Sequence, residues 1–159
     1  MPGCGSLCVH PNGHLLSTLG VQILSLISFG GQAGGQEYIP LQIALGDKSA
    51  SLIALKDTGN TLRDPLTGEP VLVISASIAG KLTGLTQQQL KDPLQTLSSR
   101  ILPGLRLIPY HSIGNAGGFL LAKRFEDVVI AGKRKSTLVA FAAEGLGNGE
   151  FYQALAGGQ

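Results

Sequence analysis

Leu52-Ile53-Ala54-Leu55-Lys56-Asp57-Thr58-Gly59-Asn60 is the stretch on which the reading of this chain turns. An apolar strand runs straight into an acid, a hydroxyl residue and a glycine. A carboxylate at the end of a buried strand is costly unless it is hydrogen-bonded or paired, and a glycine beside it lets backbone approach closely. The combination points to a site built on Asp57. Asp-Thr-Gly is also good turn chemistry, and the tripeptide alone favours a turn, so the surrounding sequence has to decide.

Upstream, the texture is alternating: Tyr38, Leu41 and Ile43 with Ala44 and Leu45, a turn at Gly46-Asp47-Lys48, then Ser51 to Leu55. This predicts a β-hairpin whose second strand ends at Asp57. Downstream, Arg63-Asp64-Pro65-Leu66-Thr67-Gly68-Glu69-Pro70 is turn-rich and Val71-Leu72-Val73-Ile74 reads as a buried strand. Ser75 to Leu82 and Thr86 to Leu97 are expected as helices, the second opened by a capping box between Thr86 and Gln89. Leu105 to Ile113, Phe119 to Phe125, Asp127 to Ala131 and Ser136 to Phe141 are expected as four short strands, with turns at Gly117-Gly118 and Gly132-Lys133. The tail from Glu150 to Ala156 is expected as a closing helix.

The composition agrees with a mainly β domain. The chain has 159 residues, 43% of them hydrophobic, enough for one core. Its 23 glycines and eight prolines, with only 5% aromatics, favour short strands joined by tight turns over a helical bundle. Only 14% of residues are charged and the net charge is +2, so the totals leave no basic face large enough for a nucleic acid. The two cysteines, Cys4 and Cys8, make no disulfide framework and fit a reducing compartment.

The apolar run from Leu15 to Phe29 is shorter than the roughly 20 residues of a membrane-spanning helix. It lacks the basic flank of a secretory signal. An interfacial helix, a core helix and the stub of a lost membrane segment all stay open for it. The Gly/Gln tract at residues 30–36 sets a domain boundary, with an apolar and flexible leader over 1–36 and the globular domain over 37–159.

Beyond the tripeptide, the segment from Ala54 through Asp57-Thr58-Gly59-Asn60 and Arg63-Asp64-Pro65-Leu66-Thr67-Gly68-Glu69-Pro70 to Val71 resembles the active-site signature of the sigma-E factor processing peptidases of spore-forming bacteria, stage II sporulation protein GA. Leu107-Ile108-Pro109-Tyr110-His111-Ser112-Ile113-Gly114, followed by Gly118 to Ala122, is similar to a second block of that family, and Gly149 to Leu155 to a third. The three blocks fall in the family's order over residues 37 to 156.

The resemblance implies a retroviral-type aspartic peptidase barrel, mainly β with a few short helices and one lobe per chain. Two copies would each bring one Asp-Thr-Gly loop to a common interface. Two carboxylates about 3 Å apart share a proton, so the ionised one acts as base toward water while the protonated one polarises the scissile carbonyl. The implied catalytic set is Asp57, with Thr58 bonding across the interface and Gly59 giving room for close approach, and no cofactor is needed. The implied partners are a second copy of the chain, a pro-sigma factor substrate and an activating protein, with the peptidase domain on the cytoplasmic side of the cell membrane. Retroviral peptidases carry an apolar residue where this chain has Lys56, and strand alternation points Lys56 away from Asp57. Their apolar-apolar-Gly brace for the catalytic loop is approximated by Leu138-Val139-Ala140. The family's multi-span membrane half has at most residues 15–29 as its remnant, so the chain reads as a peptidase half, a truncated gene or an excised piece.

Other patterns are weaker. Cys4, Cys8, His10 and His14 are zinc-ligand types, but a single residue separates the pairs. Gly145-Leu146-Gly147-Asn148-Gly149-Glu150 lacks the third glycine of a dinucleotide fingerprint. His111 reads as a core or edge histidine, and Asp64 as a turn former. Two rival functions remain. An aspartyl-phosphate enzyme lacks its second acid or lysine and its βαβ pattern. A non-catalytic β-barrel interaction module derived from a peptidase would fold and cleave nothing.

Overall fold

The computed structural model describes residues 37–57, 59–112, 115–146 and 151–157. The leader with its Cys/His pattern and apolar run lies outside the described residues, as do Thr58 and residues 147–150. β1 (Glu37–Leu45) and β2 (Lys48–Asp57) form the expected hairpin, paired from Glu37 opposite Lys56 to Leu45 opposite Lys48. The alternation that predicted it buries Leu41 and Ile43 on β1 with Leu52 and Ala54 on β2. β3 (Leu72–Ile74) follows and is buried throughout, as its unbroken apolar run requires.

Helices occupy the next stretch. α1 (Ala76–Thr83) buries Ala79 and Leu82 and ends at Gly84 in the left-handed region. α2 (Gln87–Lys91) opens with the expected capping box: the Gln89 amide donates to Thr86 Oγ1 at 3.2 Å, and the Thr86 amide to Gln89 Oε1 at 2.8 Å. The helix expected to run on to Leu97 instead breaks at Asp92. Pro93 bars Asp92 from helical geometry, and α3 (Pro93–Ser98) restarts with Asp92 as its cap.

The remaining strands are β4 (Leu105–Ser112), β5 (Asn115–Ile130), β6 (Lys133–Phe141) and β7 (Ala154–Gly157). Two expected strands, Phe119 to Phe125 and Asp127 to Ala131, are one: β5 runs through both, with a bulge between Phe125 and Val128. Gly117 and Gly118, expected as a turn, lie inside β5, where a Cβ on Gly118 would sit 3.0 Å from the Tyr110 ring of β4. The turn expected at Gly132-Lys133 falls one residue earlier, on Ala131-Gly132. The expected C-terminal helix is β7 over its last residues.

The sheet order is β1-β2-β7-β3-β6-β5-β4, and β1 also pairs with β5 from Leu41 opposite Ile130 to Ala44 opposite Asp127. Six strands thus close into a barrel, and β4 hangs from β5 as an edge. The β5 bulge turns that strand from β4 toward β1. Inside the barrel Leu41, Ile43, Leu52, Ile74, Leu121, Val128 and Val139 pack with Phe125 and Phe141, whose rings meet edge-on at 6.4 Å. A smaller cluster of Val71, Ile108, Ala122, Leu138 and Ala140 lies apart from it, so β6 is buried continuously from Thr137 to Phe141. The described residues form one mainly β lobe with short helices, the fold class that the sequence implies.

Candidate active site

Asp57 is the last residue of β2. On one side β2 pairs with β1; on the other it pairs in parallel with β7, where Ala54, Leu55, Lys56 and Asp57 stand opposite Ala154, Leu155, Ala156 and Gly157. β7 is held in turn by β3, through Val73 opposite Leu155 and Ile74 opposite Ala154. The strand end carrying Asp57 is therefore fixed on both edges. Gln153, just before β7, adds to this: its amide donates to the Ile53 carbonyl at 3.0 Å, and its Oε1 accepts the Ile53 amide at 3.2 Å.

The chain turns sharply after Asp57. The Gly59 amide donates to Asp57 Oδ1 at 2.9 Å and the Asn60 amide to the Asp57 carbonyl at 3.1 Å. Glycine at 59 keeps this approach close: a Cβ there would lie 3.2 Å from that carboxylate oxygen and would press on it. Gly157 has the same property toward the far side of the loop, where a Cβ would lie 3.1 Å from the Asn60 carbonyl. Asn60 accepts the Leu62 amide on Oδ1 at 3.1 Å, while its Nδ2 is buried with no partner among the described residues.

Lys56 is turned to Glu37 on β1, with Nζ to Oε2 at 2.8 Å. It is half-exposed there, so the pair adds little to stability. The brace of the loop is a correction to the sequence reading. Leu138-Val139-Ala140 belongs to β6, which sits between β3 and β5 and does not pair with β2. The apolar-apolar-Gly strand against the loop is Leu155-Ala156-Gly157 of β7.

Asp64 is a turn former, as expected, and more. Its side chain is fully buried, and it accepts the Leu66 amide on Oδ1 at 3.0 Å, and Thr67 Oγ1 and Arg106 Nη1 on Oδ2, each at 3.1 Å. The bond from the Leu66 amide is the main cause holding its carboxyl below the ordinary carboxylate range. Burial opposes that, and Thr67, Arg106 and Arg124 reinforce it. Both oxygens of Asp64 are thus engaged, in its own turn and with Arg106. His111 is exposed on the edge strand β4, clear of the core. No cluster of metal-ligating side chains occurs among the described residues, and none of their helices is long and apolar enough to cross a membrane.

The site thus presents one carboxylate, held at a fixed strand end with one of its oxygens bonded to the adjacent backbone. No solved structure matches the chain significantly. It is 32% identical over 108 residues to a sporulation sigma-E factor-processing peptidase of Bacillus subtilis, covering 63% of this chain and 35% of that protein. It is 29% identical over 92 residues to the protein of the same name from Priestia megaterium, covering 54% of this chain and 30% of that protein. The chain therefore spans about a third of the length of these curated relatives. The model of the peptidase family described as Sporulation factor SpoIIGA matches residues 14–159. With nearly all of the sequence matched, including every described strand of the barrel and the Asp57 loop, the chain belongs to the Sporulation factor SpoIIGA family of peptidases.

Proposed function

We propose that this chain is an aspartic endopeptidase that acts as a homodimer and removes the N-terminal pro-sequence of a sigma-E type pro-sigma factor during sporulation. The observation that carries this reading is the single carboxylate of Asp57, set at a strand end braced by β1 and β7, with the close backbone approach that Gly59 and Gly157 permit. One such group per chain suits a dyad made by two chains. The names of the two relatives supply the substrate class.

In the dimer, one Asp57 takes a proton from water as the water oxygen attacks the scissile carbonyl, and the other donates its proton to the carbonyl oxygen. The tetrahedral gem-diol then collapses: the C–N bond breaks, the leaving amine takes a proton from one Asp57, and a hydroxyl of the diol returns a proton to the other, which leaves a carboxyl product and restores the singly protonated dyad. Thr58 is assigned to bonding between the two loops, and Gly59 to giving them room. Residues 37–159 form the peptidase domain, preceded by the leader over 1–36. The domain works at the cytoplasmic face of the cell membrane, and a separate protein switches it on.

The test is co-expression of the chain with a sigma-E type pro-sigma factor, comparing wild type with Asp57→Ala for the shortened product on a gel. Cleavage by wild type alone supports the reading. A folded wild type that yields no product, with or without an activating protein, points to a barrel kept as an interaction module. Because a monomer holds half the dyad, specific activity should also fall on dilution below the dimer dissociation constant.

A further inference from the structure

A turn former needs only to cap a nearby amide, and it does so as well at the surface. Asp64 instead places its whole carboxylate in the interior, which is unfavourable unless the charge is paired. Its partner, Arg106, is on β4, 42 residues away in the chain. The segment that Asp64 anchors is a small self-bonded hairpin. The Val71 amide donates to the Leu62 carbonyl at 3.0 Å, the Asp64 amide to the Glu69 carbonyl at 3.0 Å, and Arg63 bridges to Pro70. A second ion pair, Glu69 to Arg124 of β5, fastens the same hairpin to the next strand.

This hairpin begins where the Asp57 loop ends. Asn60 takes the Leu62 amide on its side chain and gives its own amide to the Asp57 carbonyl. A continuous series of bonds therefore runs from Asp57 through Asn60 and Leu62 to the hairpin, and through Asp64 to Arg106. β1 and β7 hold the approach to the loop; the hairpin holds its exit. We propose that Asp64 is a positioning residue of the peptidase site: by locking the 62–71 hairpin onto Arg106, it sets where the Asp57 loop presents its carboxylate to the second copy of the chain. This rests on the dyad reading above. A misplacement of about 1 Å at reacting groups lowers rates on the order of 100-fold, so the exit anchor matters even though it touches no substrate.

Asp64→Asn keeps the Oδ1 acceptor for Leu66 and removes the charge from Arg106; Arg106→Gln cuts the same link from the other side. In the full chain, each is expected to speed amide hydrogen exchange at Gly59 and Asn60 at least tenfold while Ile43 and Leu121 in the barrel exchange as in wild type. With a sigma-E type pro-sigma factor as the probe, kcat should fall about tenfold at constant KM. The double variant should fall no further than either single one. Faster exchange confined to residues 66–69, with Gly59 and Asn60 unchanged, overturns the proposal and leaves Asp64 a local turn former. If Asp64→Asn does not fold, Arg106→Gln still decides, because it leaves Asp64 its Leu66 and Thr67 donors. If wild type cleaves nothing, the peptidase reading fails separately, and exchange at Gly59 and Asn60 still decides whether Asp64 fixes the loop.

Discussion

Asp57 and Gly157 are direct partners in the parallel pairing of β2 with β7, so the candidate catalytic acid and the C-terminal strand are one structural unit. A methyl group on Gly157 would press on the Asn60 carbonyl from 3.1 Å. Gly157→Ala is therefore expected to displace the loop. Overpacking of this kind costs about 1–3 kcal/mol, and the larger effect should be on cleavage, with pro-sigma processing reduced at least about tenfold. Normal processing alongside an unchanged thermal midpoint would show that the loop does not depend on β7.

Asp64 gives a pH dependence of known sign. Its carboxyl is held below the ordinary range, first by the Leu66 amide and further by Thr67 and Arg106 against the opposing effect of burial. The stability this contributes is fully present above the unfolded carboxylate value of about 4. It is lost as pH falls through the lower folded value. Chemical denaturation from about pH 6 down to about pH 3 should show wild type losing its advantage over Asp64→Asn as the acid group protonates. A constant difference across that range would contradict the assignment.

Thr137 on β6 is buried, and its hydroxyl has no partner among the described residues. Valine has nearly the same shape and suits a strand. Thr137→Val removes an unsatisfied polar group and is expected to raise stability by about 1 kcal/mol, seen as a higher denaturant midpoint with the same slope. A lower midpoint would mean that the hydroxyl is bonded in solution.

The β5–β6 hairpin turns on Ala131 and Gly132, both at positive φ, 48° and 80°. A turn of this hand favours Asn-Gly, and alanine is strained at its first position. Ala131→Asn should stabilise the chain by about 0.5–1 kcal/mol without touching the site. Thermal unfolding measures it, and a fall in midpoint would refute the turn geometry.

Local chemistry by itself determined the β1–β2 hairpin, the buried strand at Leu72–Ile74, the Thr86–Gln89 capping box and the placement of Asp57 at a strand end. Each rests on alternation, capping or turn residues within a few positions of one another, and those preferences survive folding. Tertiary structure alone decided that Ala154–Gly157 is a strand and that it, rather than Leu138-Val139-Ala140, braces the Asp57 loop. Four residues are too few for any periodicity to declare itself, and the hydrogen bonds that make them a strand come from β2 and β3, far back in the chain. Asp64 shows the same division. Its turn could be read beside Pro65, but its burial and its bond to Arg106 exist only because β4 folds back over the hairpin, a pairing between residues that no local preference relates.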